Sequence, residues 1–531
     1  MRSEMLDGLV VGDILRERAV AHRSEVFLKF HEGELTYAEV DSMADRVACG
    51  LAAQGIGAGH HVAVMLPNSA DFLFTIFALA RLGAVAVPVN VAHHGELLRH
   101  VLANSDSTTL IVDAAYAERV TPLADRLPGL GRVIVRGALD RPVGKPTLSF
   151  TELLAHGAEP VRRPVAFSDL QAIMYTSGST GPSKGAMCSH ALALTCAIDS
   201  LDYLDRWGRT IYCPLPLFHA AGLWDGVFSA MVGGGAIAIT DRFHASRFWD
   251  DVRAFGAEVC MSVFSMIPIL MSKPATPRDK DHPLKTFYMG KSVLDAPLLE
   301  RFGVHSAETY TSTEAGIVTG SPYGEWRLGS CGTPNERRFE VGVVDEQDRL
   351  LGPGEPGELV VRPRQPFVIT TGYYGAPEAT AEAFRNLWYH TGDRGYRDED
   401  GYYFFLDRMK DAIRRRGENI SAFDIECEVN LHPSVVECAA TGVPSELEDE
   451  DVKLTVVLRP GTTLEPDELV AYCEDRLPRF MVPRYVEFVD ALPRTPTDKV
   501  AKYRLKEQGD HGLTASTWDR EAADRGAERT A

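Results

Sequence analysis

The stretch DLQAIMYTSGSTGPSKG, residues 169–185, runs from an apolar segment into a loop of small polar residues that ends on Lys184. The apolar segment predicts a buried strand. The loop offers hydroxyls, backbone N–H groups and one cation, which are groups that surround phosphate in proteins. It is not a Walker loop, because Ser183 precedes the lysine and Gly185 follows it, whereas that pattern has Gly before and Ser or Thr after. The stretch therefore predicts another type of phosphate-binding loop, placed after a strand of a parallel sheet.

Alternating helix and strand patterns precede this loop. Residues 37–55 have helical periodicity and end on a glycine, and residues 61–67 form a short apolar strand closed by proline. Residues 71–90 have the pattern of a helix, a break at Gly83 and a strand, and residues 108–114 that of another buried strand. This alternation is typical of α/β layers with parallel strands.

The pattern changes in the second half of the chain. From about residue 332, short strands separated by Gly and Pro turns predict a β-rich subdomain. Residues 407–505 show strands, a basic turn and helices, one of which begins near Ser421, and they predict a small α+β domain. Residues 507–531 are polar and predict a disordered tail. The predicted fold class is α/β: a large N-terminal domain with two parallel-rich layers and a β-rich subdomain, and a small mobile α+β C-terminal domain.

Composition excludes several classes of protein. A chain of 531 residues is too long for one ordinary core, so two or more domains are expected. A net charge of −19 disfavours a nucleic-acid-binding face. The acidic N-terminal segment does not resemble a secretory signal, and no apolar run is long enough to span a bilayer. Nine cysteines without a CxxC pair indicate reduced buried thiols and a cytoplasmic location, with no metal or catalytic role for them.

Seven separated segments together indicate a family. In chain order they are YTSGSTGPSKG (175–185), PLPLFHAAG (214–222), YTSTEAG (310–316), GELVVRP (357–363), WYHTGD (388–393), DRMKDAIRRRGENISAFDIE (407–426) and LPRTPTDK (492–499). Their order and spacing resemble the adenylate-forming superfamily, which includes acyl-CoA synthetases, adenylation domains of peptide synthetases and firefly luciferase. The resemblance covers residues 10–506. The segments RRRGENISAFDIE and RTPTDKVAKY are most similar to carnitine/crotonobetaine-type CoA ligases.

The resemblance implies a reaction in two steps. Members bind ATP, Mg²⁺ and a carboxylic acid; the carboxylate attacks the α-phosphorus, pyrophosphate leaves, and an acyl-adenylate forms. A thiol, usually that of coenzyme A, then attacks the acyl carbon. The implied organisation is an adenylate-forming domain over residues 1–406, a hinge over 407–411, a C-terminal lid over 412–506 and a tail over 507–531.

The resemblance also implies a nucleotide site. Its residues are Thr176, Ser177, Gly178, Ser179, Thr180, Gly181, Lys184, Tyr310, Thr313, Asp393 and Arg408. Lys184 would offset the charge of the departing pyrophosphate. Glu314 matches the magnesium ligand, since a hard cation prefers carboxylate oxygen. Asp393 would accept hydrogen bonds from both ribose hydroxyls, and Tyr310 would lie against the adenine.

The implied catalytic residues come from both domains. They are Lys499, Thr180, Lys184, Glu314 and His219. Lys499 would contact the carboxylate and the bridging oxygen and stabilise charge as the anhydride forms. Lys410 matches the hinge about which the lid rotates. After rotation the loop of Arg416, Gly417 and Glu418 would replace Lys499, with the cluster 414–416 near the phosphates of coenzyme A.

The acid pocket departs from the family pattern. Its implied residues are His219, Thr311, Gly290 and Lys291, with His219 as an aromatic gate that positions the substrate. Thr311 replaces the usual glycine and should narrow the pocket. Lys291 suggests a polar or anionic acyl group. Asp498 replaces the glycine that usually precedes the catalytic lysine and places an anion beside it.

The predicted activity is that of an ATP-dependent acid–CoA ligase acting on a small carboxylic acid. The alternative is an adenylate-forming enzyme of secondary metabolism that passes the adenylate to a carrier-protein thiol or an amine, or that activates nitrite for diazotisation. No carrier domain is visible in the chain, so any carrier would be a separate protein. The protein is expected to be a monomer or a homodimer.

Overall fold

The computed structural model describes residues 8, 10–157, 159–176, 182–263, 266–271, 273–290, 292–408, 412–446, 449–493, 500 and 502–523. The chain divides into two compact units. Unit 1 comprises Met1–Val91, Val101–Tyr175 and Lys184–Asp407, and unit 2 comprises Ala92–His100, Thr176–Ser183 and Arg408–Ala531.

The helices are α1 Val11–Ala21, α2 Tyr37–Ala53, α3 Ala70–Leu82, α4 Gly95–Asn104, α5 Ala114–Ala117, α6 Phe150–Leu154, α7 His190–Leu204, α8 Ser229–Gly233, α9 Phe248–Phe255, α10 Met266–Met271, α11 Asp295–Phe302, α12 Pro377–Ala383, α13 Ala422–Val429, α14 Pro466–Glu474 and α15 Lys502–Lys506. Short 3₁₀ helices cover Thr121–Arg126, Ser292–Leu294 and Arg385–Leu387. A π-helix covers Ala221–Phe228.

The strands of the first 312 residues are β1 Val26–Phe30, β2 Gly33–Thr36, β3 His61–Met65, β4 Val85–Pro88, β5 Thr109–Asp113, β6 Arg132–Arg136, β7 Thr147–Ser149, β8 Leu170–Thr176, β9 Lys184–Ser189, β10 Ile211–Cys213, β11 Ile237–Ile239, β12 Val259–Met261, β13 Thr286–Tyr288, β14 His305–Ala307 and β15 Thr309–Ser312. Those that follow are β16 Gly316–Gly320, β17 Thr333–Pro334, β18 Phe339–Val344, β19 Gly357–Pro363, β20 Tyr389–Arg397, β21 Tyr403–Arg408, β22 Ala412–Arg415, β23 Glu418–Ser421, β24 Val435–Pro444, β25 Glu450–Leu458, β26 Tyr485–Phe488 and β27 Trp518–Asp519.

Two seven-stranded sheets form the layers of unit 1. One has the order β7-β6-β5-β3-β4-β8-β9, and its pairs from β7 to β8 are parallel. The other has the order β14-β13-β12-β10-β11-β1-β2 and is parallel except for the β1–β2 pair. Strand order reverses at β3 in the first sheet and at β10 in the second. Ligands of such sheets bind at the carboxyl ends of strands near these reversals.

Local sequence explains the helices between these strands. Thr36 caps α2 and forms a capping box with Glu39, which satisfies backbone N–H groups at the helix start. The apolar helix α3 ends at Gly83, whose φ of +65° is the left-handed conformation that glycine adopts without strain. The predicted helices and strands over residues 37–114 are present within one or two residues of their expected bounds.

A β-rich part follows in unit 1, as the Gly and Pro turns predicted. Strands β15, β16 and β17 form one antiparallel sheet, and β18, β19, β20 and β21 form another. Both contribute to one apolar cluster that includes Tyr310, Val361 and Tyr389. The fold-class prediction is confirmed.

Unit 2 contains a β-hairpin, β22–β23, and a sheet of order β24-β25-β26-β27. The predicted tail over residues 507–531 is wrong for its first part, because β27 pairs antiparallel with β26. Buried Lys453 also donates a 2.5 Å hydrogen bond to the carbonyl of Gly512, and Thr514 donates to its ion-pair partner Glu487. Residues 524–531 lie outside the described residues.

Candidate active site

A tyrosine and an aspartate from two different sheets of unit 1 meet at the predicted nucleotide site. The hydroxyl of Tyr310, on β15, donates a 2.6 Å hydrogen bond to Oδ2 of Asp393, on β20. The ring of Tyr310 stacks on that of Phe405 at 6.4 Å between centroids. Asp393 is only 8% exposed, so contacts with the protein rather than with bulk water fix the orientation of its carboxylate oxygens.

Glu358, to which the sequence argument gave no role, holds the turn before Asp393. Its Oε1 accepts a 3.0 Å hydrogen bond from the N–H of Gly392, and its Oε2 accepts one of 2.8 Å from Nδ1 of His390. Gly392 has a φ of +72°, a conformation that favours glycine. The sequence argument noted Glu358 only as part of the segment GELVVRP, because its hydrogen-bond partners His390 and Gly392 lie on β20.

Glu314, the predicted magnesium ligand, lies in the turn between β15 and β16. It is 8% exposed, and its Oε1 accepts a 3.2 Å hydrogen bond from the hydroxyl of Tyr373. Burial and the nearby Glu314 carboxylate raise the pKa of Tyr373 and of Tyr389. Both phenols are therefore neutral at physiological pH, and that of Tyr373 donates to the carboxylate.

Tyr373 also connects Glu314 with Lys184. Nζ of Lys184, the first residue of β9, lies 5.3 Å from the centroid of the Tyr373 ring. The neighbouring Tyr374 donates from its backbone to the carbonyl of Gly185 at 2.8 Å, which holds this segment against β9. Sequence reasoning missed Tyr373, since it is nearly 190 residues away from the lysine along the chain; the pattern TTGYYG was the available signal.

The predicted acid-pocket residues of unit 1 follow or lie on strands. His219 comes after β10, its N–H donates to the carbonyl of Pro216 at 3.2 Å, and the π-helix begins two residues later. Gly290 follows β13, and a Cβ there would lie 2.3 Å from Oγ of Ser306, so a larger residue would require the neighbouring side chains to move. Thr311 lies on β15 beside an irregularity in its pairing with β16. Thr313 follows in the turn, and its carbonyl accepts from Sγ of Cys188 at 3.9 Å.

Residues predicted for unit 2 lie on strand ends and on a hairpin. Thr176 ends β8 and Arg408 ends β21. Arg416 and Gly417 have φ values of +52° and +84° and connect β22 to β23, which begins at Glu418. This two-residue turn with both φ values positive is of a type favoured in hairpins.

One suggested coenzyme A contact is wrong. Arg415 is buried, and its guanidinium pairs with Asp451 at 2.7 Å and donates to the carbonyl of Val482 at 2.6 Å. Its guanidinium thus lies inside unit 2, paired with Asp451, whereas Arg416 is exposed at the hairpin tip.

Eight predicted site residues lie outside the described residues: Ser177, Gly178, Ser179, Thr180, Gly181, Lys291, Lys410 and Lys499. Asp498 lies outside them as well.

The donors of unit 1 fit a magnesium nucleotide. The described ranges contain no group of three or more His, Cys, Asp or Glu side chains arranged to hold a metal by themselves. Mg²⁺ usually takes one or two carboxylates together with substrate phosphates, and buried Glu314 supplies such a carboxylate. None of the helices in the described part of the chain combines the length and apolar character that crossing a bilayer requires.

Comparison with known proteins agrees with this arrangement. The model of the AMP-binding enzyme family matches residues 15–374, and that of the AMP-binding enzyme C-terminal domain matches residues 424–499. The chain belongs to the AMP-binding enzyme family.

Relatives cover nearly the whole chain. Crotonobetaine/carnitine–CoA ligase of Citrobacter koseri is 32% identical over 482 residues, which are 89% of this chain and 93% of the relative. ATP-bound MatB from Rhodopseudomonas palustris is 27% identical, with a TM-score of 0.67 over 94% of this chain and 98% of its own. The o-succinylbenzoate CoA synthetase MenE of Bacillus subtilis shares the fold, with a TM-score of 0.81 at 24% identity over 93% and 98% of the two chains.

These findings confirm the predicted superfamily. They also support the predicted class of enzyme, an AMP-forming ligase of the acyl-CoA synthetase type.

Proposed function

We propose that this chain is an ATP-dependent acid–CoA ligase that makes an acyl-adenylate, releases pyrophosphate and transfers the acyl group to coenzyme A. The observation that carries the proposal is the arrangement in unit 1 of two buried carboxyl groups, Asp393 and Glu314, each hydrogen-bonded by a tyrosine. Membership of the AMP-binding enzyme family supports it.

Asp393 and Tyr310 hold the nucleoside part of ATP in this proposal. Tyr310 donates to one oxygen of Asp393 and orients the carboxylate, which would accept hydrogen bonds from the cis-diol of the ribose. The Tyr310–Phe405 ring pair provides an aromatic surface near the same carboxylate, suited to a base.

Glu314, Lys184 and Tyr373 act on the phosphates. Glu314 would hold Mg²⁺, which would supply positive charge to offset that of the phosphates. Lys184 contributes a fixed cation on the first residue of β9, while Tyr373 orients the carboxylate. The hydroxyls of residues 176–180 would complete the phosphate site.

Unit 2 supplies the groups that differ between the two half-reactions. Lys499 is proposed to stabilise the attacking carboxylate, and the hairpin at Arg416–Glu418 to border the thiol path after rotation about Lys410. The acid is a small molecule held near His219, Gly290 and Thr311. We place the enzyme in the cytoplasm, as a monomer or a homodimer.

Product analysis tests this function. Protein, ATP and Mg²⁺ are incubated with a panel of short, aryl and carnitine-like acids, with and without coenzyme A, and products are identified by mass spectrometry. An acyl-CoA formed together with AMP supports the proposal. AMP without a thioester, or formed only when an amine or nitrite replaces coenzyme A, would instead identify a different acceptor.

A further inference from the structure

A buried carboxyl group lies close to the predicted acid pocket without a counter-ion. Asp225 is on the π-helix that begins two residues after His219, and it is 3% exposed. π-Helical turns are rare and frequent at functional sites, because the extra residue redirects side chains. In the part of the chain that the structure describes, no Lys, Arg or His pairs with Asp225.

The hydrogen bonds of Asp225 leave one of its oxygens available. Oγ of Ser200 donates at 2.7 Å and Sγ of Cys196 at 3.2 Å, and both reach Oδ1. Oδ2 accepts no hydrogen bond from the described residues. An ionised carboxylate in an apolar interior is costly unless a donor or cation satisfies both oxygens, so a free Oδ2 requires a partner from elsewhere.

Two further buried hydroxyls accompany this carboxyl. Oη of Tyr288 and Oγ1 of Thr309 are buried; they lie near each other and near Ser200, but none of these contacts has the geometry of an ordinary hydrogen bond. Tyr288 is close enough to Asp225 that the carboxylate, together with burial, raises the pKa of the phenol. Buried polar atoms without well-formed hydrogen bonds call for an explanation, and a polar ligand is one that fits a cluster of them.

The chain connects this cluster to the acid pocket at three points. Tyr288 ends β13 and precedes Gly290 by two residues. Thr309 begins β15 and precedes Thr311 by two residues. Asp225 follows His219 by six residues on the π-helix. Each segment predicted to border the acid therefore also contributes one member of the cluster.

We propose that Asp225, with Tyr288 and Thr309, forms the polar end of the acid pocket and selects acids whose acyl group carries an amino group. This inference rests on the proposed ligase function. An amine or ammonium group offers two or three donors, which match Oδ2 and two hydroxyl oxygens, whereas a hydroxyl offers one. Burial raises the pKa of Asp225 to about 6. At pH 7.5 this carboxyl group is therefore mostly ionised, and it attracts a cationic or strongly donating group.

The selectivity should be large. A site built to hydrogen-bond a substrate N–H or O–H group rejects an analogue that lacks the group by a factor of roughly 10⁴, because the site's own polar atoms are left unpaired. A purely apolar pocket would instead favour the unsubstituted acid, since an amino group would lose its hydration there.

Pyrophosphate release by the full chain, with ATP and Mg²⁺, tests the proposal on matched acids. One series is the three aminobenzoates, the corresponding hydroxybenzoates and benzoate; the other is 4-aminobutanoate, 4-hydroxybutanoate and butanoate. For at least one amino-substituted acid of the panel, kcat/KM is expected to exceed that of its hydroxy and unsubstituted counterparts by about 100-fold or more. Asp225→Asn is expected to lower that ratio at least about tenfold.

Asp199→Asn is the matched control. Asp199 is as buried as Asp225 and lies on α7 with Ser200, but it pairs with Arg338 at 2.6 Å. The Asp199→Asn variant should keep the wild-type ratio of kcat/KM for the amino-substituted acid to kcat/KM for the unsubstituted acid, even where its stability falls. Should Asp225→Asn fail to fold, Thr309→Val and Tyr288→Phe remove one hydroxyl each and are expected to lower the same ratio.

The outcomes separate the two proposals. Absence of pyrophosphate release with every acid would mean that the proposed ligase function fails. Release in which amino, hydroxy and unsubstituted acids compete equally, or a ratio unchanged by Asp225→Asn, would overturn the role of Asp225 while leaving the ligase function intact.

Discussion

The hydroxyl of Tyr310 and the carboxylate of Asp393 are 2.6 Å apart, although the two residues are 83 positions apart along the chain. This hydrogen bond joins the sheet of β15 to the sheet of β20.

Tyr310→Phe should therefore weaken ATP binding. Loss of one hydrogen bond to a charged group corresponds to about 1.5–3 kcal/mol, so we expect KM for ATP to rise roughly tenfold or more with a smaller change in kcat. Tyr374→Phe is the control, because Tyr374 makes a similar 2.9 Å hydrogen bond to exposed Asp106. Steady-state kinetics with varied ATP measure both, and equal effects of the two variants would contradict the assignment.

Glu314→Gln should reduce adenylation by about 100-fold or more, because an amide binds Mg²⁺ poorly and the phosphate charge is then less well neutralised. Tyr373→Phe should have a smaller effect and raise the Mg²⁺ concentration needed for half-maximal rate, since it only orients Glu314. Pyrophosphate release across a Mg²⁺ titration measures this. Glu340→Gln, at a surface pair with Arg362, should match the wild type.

Lys499→Ala should separate the half-reactions. Adenylate formation should fall by about 100-fold or more, since a cation at the developing anhydride is lost. Thioester formation from supplied acyl-adenylate and coenzyme A should be preserved, because in the proposed rotation of the lid this lysine leaves the site. An equal loss in both half-reactions would contradict the rotation model.

Thr311→Gly should widen the acid pocket. Removing a side chain of this size changes discrimination between acids by about 10–100-fold, so bulkier acids should gain kcat/KM relative to small ones. Competition between a small acid and a longer or branched acid measures the ratio. An unchanged ratio would show that Thr311 does not border the acyl group.

His190 should make stability depend on pH. Burial lowers the pKa of this imidazole from 6.5 to about 4, and its Nδ1 accepts a hydrogen bond from the N–H of Val11. The unfolded chain therefore binds a proton between pH 6.5 and 4 that the folded chain excludes, and stability falls as pH falls through this window. The loss approaches about 3 kcal/mol at pH 4.

His190→Asn isolates this effect, because an amide oxygen retains the acceptor but does not titrate there. Urea unfolding at several pH values should show a shallower decline below pH 6.5 for the variant than for the wild type. Parallel declines would mean that His190 does not exclude the proton.

Sequence alone determined the layers, the family and most strand bounds. Apolar periodicity and Gly or Pro breaks are local signals, and they place β3, β5 and β8 correctly because each buried strand must be apolar along its own length. The tail was mispredicted because its order depends on a strand earlier in the chain: Trp518 pairs with Val486, 32 positions before it, and this pairing is not visible in local polarity.

Only the tertiary structure decided which polar side chains meet. Tyr373 beside Glu314, Glu358 beneath Gly392 and Arg415 against Asp451 each join residues that are 34 to 59 positions apart. The same is true of Asp225, whose π-helix and buried neighbours Ser200 and Tyr288 come from three separate elements. Short motifs identify the residue types that the chemistry requires. The energy of a buried charge, however, depends on neighbours from distant parts of the chain that packing brings together.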